Sequence, residues 1–409
     1  MTDAFSAVMA ASDQIRPWQE DLYRDLHQHP ELSHQENRTA TAVADRLKSD
    51  GYEVTAGVGG TGVVGIRRNG DGPTVLLRAD MDALPVQEDT GLPYSSAVDG
   101  VAHACGHDMH TACLLGAASL LATGEKHWRG TLAVVFQPAE ETINGAKGMV
   151  DDGLAKLLGK VDVALGQHVG PLPAGCVAPI SGPAMASADS IRVTVYGKGG
   201  HASMPQSSVD PVVLAAAIVL RLQTIVAREI APADPAVVTV GSMTAGTKSN
   251  IIPDSAELLI NIRTYSEAVR TRILEAIRRI VTAECQASGS PKEPEIEVYE
   301  HAPLTDNDPA VTARVASAFA PVFGDRVIGM PMVTGSEDFS DLANGVKAPY
   351  TFWFFGGVDP ALFANVDLKD GLPTSIPSNH SPKFAPLLQP TLDTGTEAMV
   401  AAALAWLTS

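Results

Sequence analysis

The residues best suited to chemistry stand together in His103-Ala104-Cys105-Gly106-His107-Asp108. Thiolate and imidazole are good ligands for zinc and neighbouring transition metals. Two residues apart on an extended segment, Cys105 and His107 would face the same way and hold one ion or two. The same hexapeptide also reads as a half-buried thiol beside a helix-capping aspartate, because most cysteines serve packing. A second group, Gln137-Pro138-Ala139-Glu140-Glu141, follows an apolar run. Adjacent carboxylates repel unless a cation is near, so one could ligate a metal while the other takes a proton from water; a solvated acidic loop is the alternative. Asp80-Met81-Asp82 follows another apolar run, where an aspartate either caps a turn or orients a metal-bound imidazole through its second nitrogen. His168 and His380 are isolated histidines, each of which also reads as an ordinary core or surface residue. All five features fall at strand ends or in loops of one pattern.

That pattern is the scaffold. Apolar, β-branched runs at 74–79, 131–136 and 161–165 read as strands, with helical patterns at 15–28, 35–48, 109–122 and 145–158 around them. The alternation predicts an α/β domain with a mostly parallel sheet, and such sheets bind ligands outside the carboxyl ends of their strands. From about residue 191 the order becomes strand 191–196, helix 210–229, strands 237–243 and 256–263, helix 267–287 and strand 293–299. This β-α-β-β-α-β order is ferredoxin-like and predicts an inserted domain. Helix 309–323, strand 350–355 and helix 390–407 then resume the first pattern. The expected boundaries are 1–183 with 302–409 for the first domain and 184–301 for the insert.

With 409 residues the chain has room for two or three domains of roughly 150 residues each. A formal charge of −18 repels nucleic-acid phosphates and anionic lipid, so neither nucleic acid nor membrane is expected as a partner. Apolar stretches at 211–220 and 399–407 are about half the roughly 20 residues of a membrane-spanning helix. The first residues carry Asp3 and Asp13 with no basic leader, and Cys105, Cys113, Cys176 and Cys285 are irregularly spaced. A cytoplasmic chain without a disulfide scaffold is therefore expected. Gly57-Val58-Gly59-Gly60-Thr61-Gly62 matches a dinucleotide fingerprint, but Val63 to Arg68 reads as a strand where that fingerprint needs a helix. A glycine-rich hairpin is expected instead. No G-x-S-x-G elbow supports a serine hydrolase.

Eight blocks in order carry a family resemblance: His27-Gln28-His29-Pro30-Glu31-Leu32 with Glu36, Arg78 to Pro85, His103 to Asp108, Gln137 to Glu141, Gly199-Gly200-His201-Ala202, Asn250 to Asp254, Ser336-Glu337-Asp338-Phe339, and Asn379-His380. Together they resemble the metal-dependent amidohydrolase branch of the aminoacylase and carboxypeptidase family, which includes hippurate hydrolases, bacterial N-acyl-amino-acid hydrolases and auxin-conjugate hydrolases. The resemblance spans about residues 20 to 390. It implies two divalent metal ions per subunit, with Cys105 bridging where other branches use Asp, His107 and His168 completing one site, and Glu141 and His380 the other. It further implies Glu140 as general base, Asp82 behind the metals, and His201 as oxyanion donor on a lid that also forms a homodimer. Asn250 and Arg263 match substrate-binding positions. Cysteine and histidine favour Zn²⁺, while Mn²⁺, Co²⁺ or Ni²⁺ also suit such sites.

The resemblance therefore implies cleavage of an N-acyl-L-amino acid, a small-molecule substrate, to a carboxylate and a free amino acid. A metallo-carboxypeptidase or dipeptidase is the alternative within the same chemistry, and a non-catalytic metal- or ligand-binding relative is the alternative outside it. Thr142-Ile143-Asn144 and Thr374-Ser375-Ile376-Pro377 depart from the family's usual wording, which bears on the pocket and leaves the ligands intact.

Overall fold

The computed structural model describes residues 2–364, 366 and 373–408. The chain divides into two compact units: Met1–Ala184 with Asp306–Met332 and Asp338–Ser409, and Met185–Thr305 with Val333–Glu337.

The first unit is built on a seven-stranded sheet in the order Glu53–Val58, Gly62–Asn69, Gly130–Gln137, Thr74–Asp80, Val163–Pro173, Tyr350–Val358, Val177–Pro179. The middle of the sheet is parallel: Thr74–Asp80 pairs in that sense with both of its neighbours, and Val163–Pro173 with Tyr350–Val358. The flanking pairings are antiparallel, so the sheet is mixed rather than mostly parallel. Burial on both faces explains the continuous apolar runs that mark its central strands. The glycine-rich segment is the expected hairpin, Glu53–Val58 turning into Gly62–Asn69.

Helix His107–Thr123 is buried along nearly its whole length and packs against Ser12–Gln28, Asn37–Ser49 and Leu388–Leu407. A Cβ at Gly395 would lie 2.5 Å from Cys113 Sγ, so helices His107–Thr123 and Leu388–Leu407 approach closely. Helix Thr2–Met9 was not legible as a separate element. The helical run read at 145–158 breaks into Gly145–Asp151 and Leu154–Leu158, because Gly153 between them takes φ 96°.

In the second unit a four-stranded antiparallel sheet has the order Ala236–Ala245, Ser255–Thr264, Ser187–Tyr196, Glu295–Ala302. Helix Glu267–Ala287 and the Pro211–Leu222 and Thr224–Glu229 helices close its core around Ile191, Val193, Leu258 and Ile260. By length and composition Pro211–Glu229, 19 residues, reaches the size of a membrane span, longer than the sequence reading allowed. It breaks at Gln223 and buries Leu214, Ile218, Leu222 and Ile225 in this core.

Candidate metal centre

Cys105 and His107 do not share an extended segment. Gly106 between them takes φ 93° and ψ 21°, and His107 opens the helix, so a turn brings the two side chains together. A Cβ on Gly106 would meet Val169 Cγ1 at 2.4 Å, which adds a steric reason for glycine there. His168 lies within strand Val163–Pro173, opposite Phe354, rather than after its end. The polar Gln167-His168 pair is accommodated in this central strand because its groups are engaged. Gln167 donates to Gly395 O at 3.0 Å and accepts from Trp353 Nε1 at 3.1 Å.

Each imidazole on these elements has one nitrogen tied down. His107 Nδ1 lies 3.2 Å from Asp82 Oδ1, and His107 Nε2 is buried with no hydrogen-bond partner. His168 Nδ1 donates to Val169 O at 2.7 Å, leaving Nε2 as an acceptor 3.4 Å from Cys105 Sγ. Glu141 Oε1 is also buried without a hydrogen-bond partner, while Oε2 lies 3.4 Å from His380 Nε2. The potential ligand atoms of Cys105, His107 and His168 lie within 4.8 Å of one another, as do those of Cys105, Glu141 and His380. Cys105 Sγ is the member common to both sets. Bare imidazole nitrogen, thiol and carboxylate oxygen are the donors that zinc-like cations take, and buried polar atoms left unpaired are costly. The residues present therefore fit a pair of divalent ions.

The electrostatics set which protons a cation would displace. Burial, then Glu141 and Glu140, push the Cys105 thiol well up. Burial raises Glu141 to about 7 despite the opposing pull of His107. His107 is lifted to about 10 because Asp80 and Asp82 outweigh its burial. Burial lowers His168, and burial followed by His107 lowers His380. A cation placed among these groups would favour the deprotonated thiol and carboxylate.

Asp82 organises the carboxylate pair. Its Oδ1 accepts from Glu140 N at 3.1 Å, and its Oδ2 accepts from Glu141 N at 3.0 Å and Ser33 Oγ at 2.7 Å. These contacts and His107 hold the Asp82 carboxyl below its ordinary range despite its burial. Glu140 is buried, with Oε2 3.9 Å from His107 Nε2, the same separation as Glu141 Oε1.

Beneath lies a layer of which sequence reasoning named Asp80 as a candidate but missed His110 and the role of Arg78. His110 Nδ1 lies 2.6 Å from Asp80 Oδ1, and His110 Nε2 accepts from Val169 N at 2.7 Å, beside His168. Asp80 Oδ2 accepts from the fully buried Arg78 at 2.7 Å. An arginine and an aspartate inside an apolar strand, and a histidine one helical turn after His107, were the available signals.

The other three candidates belong to the second unit. His201 is exposed and its Nδ1 accepts from Ser203 N at 3.1 Å, so a neutral ring carries its proton on Nε2. Asn250 is exposed, and its carbonyl accepts from Ala202 N at 3.1 Å. Arg263 Nε donates to Asn261 Oδ1 at 3.0 Å and a terminal nitrogen donates to Ser336 Oγ at 2.6 Å.

Residues 76–368 match the model of peptidase family M20/M25/M40. A thermostable carboxypeptidase of Saccharolobus solfataricus is 41% identical over 350 residues, covering 84% of this chain and 86% of its own. An N-acetylcysteine deacetylase of Bacillus subtilis is 39% identical over 323 residues, 78% of this chain and 83% of its own. Among solved structures, a dinuclear metal-binding M20 peptidase of Bacillus subtilis superposes with a TM-score of 0.79 at 31% identity, covering 96% of this chain and 99% of that one. The chain belongs to the M20 peptidase family and is a hydrolase of amide or peptide bonds. Its relatives include deacylases and carboxypeptidases, on the amidohydrolase branch.

Proposed function

We propose that the chain is an N-acyl-L-amino-acid amidohydrolase that releases a carboxylate and a free amino acid. The observation that carries the reading is a pair of consecutive glutamates at the ligand cluster: Glu141 lies among the Cys105 and His380 ligand atoms, and Glu140, whose amide like that of Glu141 donates to Asp82, brings its carboxylate within 3.9 Å of His107 Nε2. In this assignment Cys105, His107, His168, Glu141 and His380 would hold two divalent ions, Zn²⁺ being favoured by the donor set. Such ions polarise a carbonyl and lower the pKa of water that they bind from about 15.7 towards 7.

The chain's own groups handle the proton. Glu140 takes it from the attacking water and returns it to the departing amine, a role typically worth about 100- to 10,000-fold in rate. Asp82 keeps the proton of His107 on Nδ1, so Nε2 stays available as a ligand. His201 is assigned as the donor to the developing oxyanion through Nε2–H, and Asn250 and Arg263 as groups that bind the substrate's polar ends. A homodimer formed through the second unit and a cytoplasmic location belong to the same proposal.

The test is Glu140→Gln. Metal content by elemental analysis should stay at two ions per chain while release of amino acid from acetylcysteine and benzoylglycine falls by about 100-fold or more. Near-normal turnover in a metal-replete Glu140→Gln protein would refute the assignment. The carboxypeptidase relative favours one competing reading. Faster cleavage of N-blocked peptides than of N-acyl amino acids would establish it.

A further inference from the structure

Three consecutive backbone amides precede or belong to the glutamate pair, and each donates to a buried carboxylate. Glu140 N and Glu141 N use Asp82, as described. Ala139 N donates instead to Glu36 Oε1 at 2.9 Å, across 103 positions of sequence. Glu36 is completely buried. Its Oε1 also accepts from His34 N at 2.9 Å, and its Oε2 accepts from Thr61 Oγ1 at 2.5 Å.

The reason such a clamp is needed lies in the backbone. Ala139 takes φ 53° and ψ 40°, and Ile143 takes φ 52° and ψ 38°. For residues with a Cβ this left-handed conformation is strained and persists only where the surroundings enforce it. The two strained residues bracket Glu140 and Glu141. Asp338 fixes the loop farther out, accepting from Gln137 Nε2 at 2.6 Å and Ala146 N at 3.0 Å. Ala139 itself is held on both sides: its amide by Glu36, and its carbonyl by Thr142 Oγ1 at 3.1 Å and Gly145 N at 3.2 Å, so Glu36 is the contact that reaches it from outside the loop.

We infer that Glu36 is a positioning residue: it holds Ala139 left-handed and so sets where Glu140 and Glu141 project. The same carboxylate joins the Thr61 end of the glycine-rich hairpin to that loop, which gives the discarded dinucleotide-like segment a structural task. The inference rests on the proposed roles of Glu140 as base and Glu141 as ligand. Glu36 itself touches neither substrate nor metal.

The experiment compares Glu36→Ala, Glu36→Gln, Thr61→Ala and Glu140→Gln in full-length protein, with Zn²⁺ affinity measured by competition against a chromophoric chelator. In Glu36→Ala, affinity for the weaker-bound ion should fall about 10- to 100-fold, since partners that fix ligand groups typically carry that much. Its kcat should fall by a similar factor, with KM changed far less, because a displacement of about 1 Å at a reacting group costs on the order of 100-fold. Glu36→Gln should restore both values to within about threefold, because its carbonyl oxygen can accept both amide protons and its amide can donate to Thr61. Thr61→Ala, which severs only the Oε2 contact, should move Zn²⁺ affinity in the same direction by a smaller factor.

Unchanged Zn²⁺ affinity and kcat in folded Glu36→Ala would overturn the inference. So would failure of Glu36→Gln to restore them. Should Glu36→Ala not fold, unchanged Zn²⁺ affinity in Thr61→Ala overturns it equally. Glu140→Gln separates the two failures: an active Glu140→Gln protein defeats the reading of the base, whereas the Glu36 effect on Zn²⁺ affinity is read without turnover.

Discussion

His27 offers a prediction whose size follows from the structure. Its ring is buried between two carboxylates, with Nδ1 2.6 Å from Asp108 Oδ2 and Nε2 3.2 Å from Glu88 Oε1. Burial opposes charge on the imidazole, but Asp108 and then Glu88 outweigh it and lift the ring to about 10 from an ordinary 6.5. At 1.36 kcal/mol per pKa unit, that difference corresponds to roughly 4–5 kcal/mol. Removing one partner of a buried ion pair typically costs about 3–5 kcal/mol, which is the same range. His27→Gln should therefore destabilise the first unit by about 3–5 kcal/mol. The pH dependence has a definite sign. Below 6.5 the ring is charged in both folded and unfolded chains, and its contribution is complete. Between 6.5 and about 10 only the folded ring keeps its proton, so the contribution declines with rising pH and is gone above that. Glu88 limits the acid side: burial opposes it, yet His27 and neighbouring donors hold it at about 2 from an ordinary 4.5. Its contribution is full above 4.5 and is lost as pH falls towards 2. The difference between His27→Gln and the parent chain should peak between about pH 4.5 and 6.5. Urea unfolding of chelator-treated protein followed by tryptophan fluorescence measures it. Trp18, Trp128, Trp353 and Trp406 all lie in the first unit, so the signal reports that unit alone. A difference below about 1 kcal/mol at pH 6, or one that stays flat to pH 10, would refute the reasoning.

Two further predictions concern the metal centre. Because burial keeps Cys105 a thiol well past neutrality and holds Glu141 at about 7, Zn²⁺ loading at pH 7 should release more than one proton per chain; calorimetry in buffers of different ionisation enthalpy counts them, and no release would contradict the assigned ligands. Cys105→Ala removes the atom shared by both ligand sets, so it should lose both ions together by elemental analysis, whereas His380→Ala should retain one.

How much of this was legible in the sequence depended on the range of the contacts involved. The central strands could be read because burial on both faces demands continuous apolar runs, and the ferredoxin-like order of the second unit survived because its helices and strands each keep one period. The proposed ligands Cys105, His107, Glu141, His168 and His380 could be picked out because thiol, imidazole and carboxylate side chains stand in motifs that resemble those of the family. The mixed sense of the sheet was not legible: the hairpin was clear, but nothing local says that Gly62–Asn69 lies against Gly130–Gln137 in an antiparallel sense. Strand Val163–Pro173 was cut short because Gln167 and His168 look like a strand's polar end, when distant partners satisfy them inside it. The same limit hid the supporting layer. Glu36 reaches Ala139, Arg78 reaches Asp338 at 3.4 Å, and Gln19 reaches Ala112, contacts 103, 260 and 93 positions apart that no period or spacing encodes. A buried carboxylate costs free energy unless several donors converge on it, so an acid inside the fold reports a set of N–H groups that needed holding. By that argument Glu36 and Asp82 mark the segment around Glu140 as one whose geometry is held from two directions.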